Sequence, residues 1–204
     1  MDISIDDVKE LYEEMLTKLD EHYVQALLLA EIINRILLKM AEIRLTSKPH
    51  FEYKPLSEFM KRMRVSSLGK FNEETYIAYL NLYKNQQDLE NHKAVGTVVI
   101  YMQADFMTKL FKRLDYPDVD IDDEDALLDA IGTFCNLVGG NFKSGLTQLG
   151  YIPLEMSHFH SFKNEVLDGV EYCQTEKKVY EIDFEIKKEK QITAELVIGQ
   201  VPRS

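Results

Sequence analysis

The chain has 204 residues, of which 45% are hydrophobic and 29% are charged, which suits one domain with a substantial core, or a domain plus a helical extension. With 35 Asp and Glu residues against 24 Lys and Arg residues, its formal net charge is -11, which argues against nucleic acid or an anionic membrane as the main partner. No apolar run reaches the roughly 18 residues of a membrane span, the acidic N-terminus does not resemble a secretion signal, and Cys135 and Cys173 form no zinc or disulfide pattern. We therefore expect a cytoplasmic protein.

Residues 4–45 have the spacing of helix almost throughout, as one long helix or as two in tandem. In the first part, apolar residues recur at steps of three and four: Val8, Leu11, Met15 and Leu19. The second part, from Val24 to Leu45, is more apolar and is predicted to pack against a sheet. We expect residues 1–22 to form a helical extension of a domain at 23–204. Leu11, Met15 and Leu19 are candidate contacts of a homodimer.

The rest of the chain alternates between predicted strands and helices. Two β-rich runs predict a hairpin-like strand pair at Thr75–Tyr83 and Gly96–Met102. Helical spacing follows from Gln103 to Tyr116 and again from Asp125. Residues Val179–Ile186 and Ile192–Val201 predict a terminal hairpin joined by the turn "KKEKQ". This order indicates an α+β fold in which two long helices pack on a mainly antiparallel sheet.

The long helix predicted from Asp125 divides into two sides at about 100° per residue. One side is apolar and predicts a buried face: Leu127, Ile131, Phe134, Val138, Phe142 and Leu149. The other side is polar or small, and includes poor helix formers where a solvated face usually carries Glu and Lys: Asp129, Thr133, Asn136, Gly140 and Lys143. Gly139 and Gly140 would let another backbone approach this side closely. Alternatively, the glycines satisfy a packing constraint within the fold.

Asn136 is either an ordinary surface residue or a residue that orients a water molecule. Its amide is neither acid nor base near neutral pH, but it donates and accepts hydrogen bonds at the same time. Orienting a water suits attack on a phosphoryl group that a metal elsewhere already activates, because positioning dominates that chemistry. Cys135 lies toward the buried side of the helix and is expected to be an inert small hydrophobe.

The stretch "DAIGTFCNLVGGNFKSGLTQLG" (129–150) resembles the active helix of the CheC/CheX/FliY family of chemotaxis phosphatases. Upstream, "KAVGTVVIYMQADFMTKLFKRL" resembles the strand and connecting helix of the family, and "VQALLLAEIINRILLKMAEIRLTSKP" occupies the place of its first long helix. With the terminal hairpin, the resemblance covers about residues 22 to 200. It implies the CheX/CheC-like α+β fold, and a homodimer is common in the family.

The resemblance implies removal of the aspartyl phosphate of a CheY-like response regulator. In the family an Asn positions the water, a Glu pairs with a lysine of the regulator, and the metal belongs to the regulator, so no cofactor is expected here. By position, Asn136 matches the Asn and Asp129 matches the leading Asp or Ser. Thr133 replaces the Glu, and it has no charge and too short a side chain to reach a lysine. Asp129, one turn earlier, could take over part of that role. Alternatively, its carboxylate stabilises the helix through a favourable interaction with the dipole near the N-terminus.

Two further features of the family pattern bear on the site. On the first long helix, Glu31 and Asn34 have the Glu-x-x-Asn spacing of a second site, or else belong to a solvated strip with a Glu31–Arg35 ion pair. The proline that the family carries about two dozen residues after the Asn is absent, and Ser157, His158 and Phe159 stand there instead.

Metal binding has little support in the sequence. His158 and His160 would share one face of a strand, but no third ligand lies at a persuasive spacing. The acidic run "DVDIDDED" lacks the glycine and final glutamate of a calcium loop, so we expect Asp122 or Asp123 to cap the next helix.

Two functions therefore compete. One is a phosphatase of phosphorylated CheY-like regulators, with Asn136 and Asp129 in the site and with weakened catalysis. The other is a module that binds a regulator or another signalling partner without hydrolysis. In both, Gly139, Gly140 and Lys143 are expected to contact the partner.

Overall fold

The computed structural model describes residues 3–114, 116, 120 and 122–203. Its helices are α1 Lys9–Lys18, α2 Glu21–Met40, α3 Gln86–Glu90, α4 Ala104–Arg113 and α5 Glu124–Gln148. Its strands are β1 His50–Pro55, β2 Glu58–Phe59, β3 Arg62–Ser66, β4 Thr75–Tyr83, β5 Gly96–Gln103, β6 Glu155–Met156, β7 His160–Lys163, β8 Val166–Val170, β9 Lys178–Ile186 and β10 Glu189–Ile198. No helix among these residues is long and apolar enough to cross a membrane.

The molecule has three layers. The central layer is an antiparallel sheet in the order β1-β9-β10-β5-β4-β6, with β7 also paired to β4. Helices α2 and α5 cover one face, and the small sheet β2-β3-β8 covers the other. This arrangement explains why β4 is buried along almost its whole length: Leu80 and its alternate neighbours face the helices, while Ile77 faces the small sheet.

The α+β fold with two long helices on a mainly antiparallel sheet is thus confirmed. The N-terminal helical region consists of two helices, because the side chain of Asp20 caps α2 by accepting from the Tyr23 N–H at 3.0 Å. Helix α2 ends at Met40 rather than Leu45, since Glu42 takes a left-handed φ of 55° and ends the helical path. Ile3, Ile5 and Tyr12 join the main core.

The terminal hairpin is confirmed, but the predicted turn "KKEKQ" is wrong. Strand β10 already begins at Glu189, so only Lys187 and Lys188 form the turn, both with positive φ. The register shifts between Lys190 and Ile192, which absorbs the extra residue as a bulge. Strands β1, β2, β3, β6 and β8 were not predicted, because they are short and, apart from β3, largely exposed, which leaves no clear period.

Two buried glycines set how closely α5 lies against its neighbours. A Cβ on Gly139 would be 2.6 Å from Leu80 Cδ2 of β4 and 3.0 Å from Met156 Sδ of β6. A Cβ on Gly132 would be 2.1 Å from Cε2 of the Phe159 ring. At Gly140, by contrast, nothing lies within 4 Å of the position that a Cβ would take. The glycines therefore serve two different purposes on the same helix.

We predict opposite effects on stability from two equal substitutions in α5. Gly132→Ala should lower the free energy of unfolding by about 1–2 kcal/mol, because displacing the Phe159 ring costs more than the improved helix propensity contributes. Gly140→Ala should raise the same free energy by about 1 kcal/mol, since only the propensity term acts there. Urea denaturation of both variants beside wild type measures the difference. Equal shifts for the two variants would contradict this account of the packing.

Candidate functional site

Helix α5 begins where the acidic segment supplies a cap. The Asp123 carboxylate accepts from the Ala126 N–H at 3.0 Å, as predicted for one of the two aspartates, and Glu124 and Asp125 occupy the first turn. Part of the acidic run, at 117–119 and 121, lies outside the described residues. Because the helix begins at Glu124, Asp129 lies in its second turn. The interaction of a carboxylate with the helix dipole falls off within the first turn, so the dipole explains Asp129 poorly.

The predicted apolar side of α5 is buried, as expected: Leu127, Ile131, Phe134, Val138, Phe142 and Leu149. Cys135 is buried as well, and burial raises the pKa of its thiol. A neutral, inaccessible thiol is a poor nucleophile, which leaves Cys135 as a packing residue.

The opposite side of α5 forms an open face, which we define by Asp129, Thr133, Asn136, Gly140 and Lys143. Asp129 and Asn136 are exposed, and the other three are half-buried. Among the described residues, no side chain or backbone group hydrogen-bonds the side chains of Asp129, Thr133 or Asn136. The polar groups of this face are therefore available to a visiting molecule.

The open face has a regular spacing. Asn136 stands seven residues after Asp129 and seven before Lys143, so each of the two charged residues is displaced from it by about 10.5 Å along the helix axis. Thr133 is one turn before Asn136 and Gly140 is one turn after it. Gly140 has open space above it. A partner's backbone can approach the helix there without meeting a side chain.

Gly139 does not belong to the open face, so its predicted role in partner binding is wrong. Its Cα lies against Leu80 and Met156 on the sheet side of the helix, as described above. The packing interpretation holds for this glycine, and the open-face interpretation holds for Gly140 alone.

The segment that replaces the family's proline flanks the open face. Phe159 covers the backbone of Gly132, one turn before Asn136. The segment is held to the end of β4, because the Ser157 N–H donates to the Asn81 carbonyl at 2.9 Å and the Ser157 Oγ accepts from the Asn81 N–H at 2.9 Å. A fixed aromatic ring therefore borders this side of the site.

Lys163 of β7 neighbours the N-terminal end of α5. Its ammonium group bridges Glu74 at 3.0 Å and Glu124 at 3.1 Å, and these hydrogen bonds, foremost the one with Glu74, raise the pKa of Lys163. Since Glu124 is taken up by this bridge, the described carboxylates without an ion pair at this end of α5 are Asp125 in the first turn and Asp129 on the open face.

The predicted second site on α2 has a different environment. Glu31 accepts from Arg35 Nε at 2.6 Å, as the alternative of an ion pair predicted. Arg35 also donates to both carboxylate oxygens of Asp7, at 2.7 and 2.9 Å, and to the Ser4 carbonyl at 2.7 Å. Asn34 is half-buried beside them in the groove between α1 and residues 44–51. The structure thus joins Glu31 to a partly exposed ionic cluster around the buried Arg35.

The Arg35 cluster and its neighbours could not be found from sequence spacing, because Asp7 is 28 residues away from Arg35. Hydrogen bonding to Asp7 raises the pKa of Arg35, and the same interaction lowers the pKa of Asp7. Nearby, the Ile3 N–H donates to Asn141 Oδ1 of α5 at 2.6 Å. Residues 3–7 therefore form a strap across α2 and α5.

Of the two predicted histidines, His158 lies in the segment that flanks the open face and His160 begins β7. His160 stacks on the Tyr79 ring with centroids 5.0 Å apart, and His158 is exposed. Among the described residues, no three His, Cys, Asp or Glu side chains are grouped as metal ligands.

Comparison with known proteins gives a fold and a similarity to one family over part of the chain. The sequence profile of the family described as chemotaxis phosphatase CheX matches residues 90–185, which include the whole open face. No curated relative matches the sequence.

Several solved structures share the fold. The CheC-like superfamily protein from Shewanella sp. PV-4 has a TM-score of 0.57 and 14% identity, over 86% of this chain and 97% of that one. The chemotaxis protein CheX from Vibrio vulnificus has a TM-score of 0.56 and 14% identity, over 83% and 95%. The Borrelia burgdorferi CheX complex with CheY, BeF3 and Mg²⁺ has a TM-score of 0.52 and 13% identity, over 86% and 98%.

At these identities the structures establish the fold, while the profile match covers the segment that carries the open face. The chain therefore has the fold of the CheC-like and CheX proteins, and its residues 90–185 are similar to the CheX family.

Proposed function

We propose that the chain removes the aspartyl phosphate of a CheY-like response regulator, with the open face of α5 as the contact surface. The observation that carries this proposal is the exposed Asn136, whose amide has no hydrogen-bond partner among the described residues. It lies within the segment that matches the CheX family. The Borrelia CheX solved with CheY, BeF3 and Mg²⁺ supports a regulator of that class as the partner.

In this proposal Asn136 orients the attacking water. An amide presents a donor and an acceptor at once, so it can fix a water in the line of attack without exchanging a proton. The Mg²⁺ that activates the phosphoryl group belongs to the regulator, and the chain needs no cofactor of its own. The regulator would also place the protein in the cytoplasm.

The electrostatic part of the site is weakened. Thr133 offers a hydroxyl where the family has a carboxylate, and a hydroxyl gives no ion pair with a lysine of the regulator. Asp129 is free at the same end of the face, but it lies one turn further from Asn136. We propose that Asp129 partly replaces the lost carboxylate. We therefore expect slower catalysis than a Glu at position 133 would give.

A second function, binding of the regulator without hydrolysis, is favoured by one observation, the Thr at position 133. Gly140 and Lys143 serve as contacts in either case. Glu31 is engaged by Arg35, so both functions rest on α5 and neither uses the α2 residues.

The first prediction from this proposal concerns Asn136. Wild type should accelerate phosphate release from a phosphorylated cognate regulator, and Asn136→Ala should lose that acceleration by on the order of 10-fold to 100-fold, because the water is no longer positioned. Thr147→Ala, on the exposed side of the same helix, is the matched control and should behave as wild type. Binding of the regulator, measured in parallel, separates hydrolysis from docking. A complex that forms without any change in the decay rate would establish the non-catalytic alternative.

The second prediction concerns the missing carboxylate. Thr133→Glu should increase the rate of phosphate release by about tenfold, since it restores an ion pair with the regulator. Thr17→Glu adds the same charge at an exposed Thr of α1, outside the open face, and should leave the rate unchanged. In the double variant Thr133→Glu/Asn136→Ala the rate should remain low. An equal gain from both glutamates would mean that the added charge acts through general attraction rather than through the site.

The third prediction concerns a homodimer through α1. Leu11 and Leu19 are 50% and 45% exposed, whereas Met15 packs partly against the core. If the two leucines form the contact, Leu11→Glu and Leu19→Glu should shift the sedimentation coefficient from dimer to monomer. Leu68→Glu, at an exposed leucine outside the helical layer, is the control. If the wild-type protein sediments as a monomer at all concentrations, the prediction of a homodimer is wrong.

A further inference from the structure

A small pocket lies away from α5, where the end of α2, helix α4 and the β9–β10 hairpin meet. Its volume is about 320 Å³, which is at the lower end of the range of small-molecule sites. Its base contains three mostly buried apolar side chains, Ile43, Phe106 and Ile186, which are 9%, 4% and 7% exposed. None of its lining residues belongs to the open face, so the pocket is a separate feature.

The pocket carries an unusual charge for this molecule. Four positively charged side chains line it: Arg44, Lys109, Arg113 and Lys187. Only two carboxylates, Glu42 and Glu189, line it as well, so four positive charges against two negative charges leave a local excess of two. The whole chain has a net charge of -11. A positive pocket on so acidic a protein concentrates anions locally.

The four positive side chains of the pocket are not neutralised by the described carboxylates of the fold. Within the described part of the chain, none of them forms an ion pair, whereas Arg35, Arg64 and Lys70 all do. Arg113 donates one N–H to the Ala41 carbonyl at 3.3 Å. That bond holds the guanidinium at the rim and leaves further N–H groups for a ligand, since a guanidinium has five.

The backbone around the pocket is held in costly conformations. Glu42 and Lys187 both have positive φ values, 55° and 56°, although neither is a glycine. Such conformations are uncommon and cost free energy. Glu42 turns the chain so that the buried Ile43 and the exposed Arg44 follow directly, and Lys187 turns β9 into β10 beside Ile186. The same two turns thus place apolar groups at the base and positive groups at the rim.

From this combination we propose that the pocket binds a small organic anion, with a phosphate or carboxylate group at the positive rim and an aromatic or branched aliphatic group on the apolar base. The positive rim supplies charge-assisted hydrogen bonds to the anionic group. Burial of the apolar group against the base contributes favourable free energy of binding. A ligand with both parts binds more tightly than one with either part alone.

A titration with phenyl phosphate tests the proposal on the full chain labelled with ¹⁵N. Saturable shifts are expected at the amides of Ile43, Arg44, Lys109 and residues 186–189. Phenyl phosphate should bind at least about tenfold more tightly than inorganic phosphate or phenol, a difference of about 1.4 kcal/mol. Benzoate is a parallel probe, which distinguishes a carboxylate ligand from a phosphate ligand.

Variants locate the binding and control for general charge effects. Arg44→Gln and Lys109→Gln should each raise the Kd of the better aryl anion by about tenfold, and Glu42→Gln should lower it. Arg62→Gln removes another exposed arginine without an ion pair, one that lies on β3, and should leave the Kd unchanged. Thermal unfolding of each variant confirms that the fold is intact.

Three results would overturn the proposal. One is the absence of saturable shifts at the pocket amides with either aryl anion. Another is inorganic phosphate binding as tightly as phenyl phosphate, which would mean that the apolar base contributes nothing. The third is an equal loss of affinity in Arg62→Gln and Arg44→Gln, which would mean nonspecific attraction to surface arginines.

Discussion

The close contact between α5 and its neighbours decides which residues of the helix meet the solvent. Gly132 lies beneath the Phe159 ring and Gly139 lies against the Leu80 side chain, so at these two positions the helix packs on its neighbours without a side chain of its own. A helix seated in this way has one rotation available, because any other would drive a side chain into the sheet. That rotation turns Asn136 outward. The site therefore depends on two glycines that themselves touch no partner.

Two residues with the same three-residue spacing have different environments on the two long helices. Glu31 and Asn34 on α2 are spaced like Thr133 and Asn136 on α5. On α2, however, Arg35 follows Glu31 by one turn and the strap at residues 3–7 brings Asp7 and the Ser4 carbonyl to it. The Glu31 carboxylate is therefore already paired within the fold, whereas the side chains of Thr133 and Asn136 have no partner among the described residues. Tertiary contacts, rather than the motif, distinguish the unpaired helix face from the ionic cluster.

Much of the fold could be predicted from the sequence, and the reasons for the failures are physical. Strands β4 and β5 and helix α5 are long and strongly patterned, so their positions were found to within a residue or two. The small sheet was missed because strands of two to five residues give no period. The side of α5 predicted to face away from the core is exposed or half-buried, whereas Gly139 is buried. The difference between Gly139 and Gly140 depends on where Leu80 and Met156 lie, and a glycine has no side chain whose polarity could indicate its environment. The strap was missed because its contacts join residues up to 143 positions apart.

The charges along α5 bear on how a phosphorylated regulator would meet Asn136. The acidic residues Glu124, Asp125 and Asp129 occupy the first two turns, and Lys143 follows Asn136 by two turns. The face is therefore negative at one end and positive at the other, with the amide midway between.

In the proposed reaction, a lysine of the regulator is attracted to the Asp129 end and the phosphoryl oxygens to the Lys143 end, which sets one orientation across the helix. Such steering acts over several ångströms and survives the loss of a carboxylate at position 133, whereas a short ion pair beside the water does not. In the proposed reaction, Thr133 therefore gives the lysine no local ion pair, while the charges at the two ends of the face still set the direction of docking, and this combination fits either a slow phosphatase or a binding module.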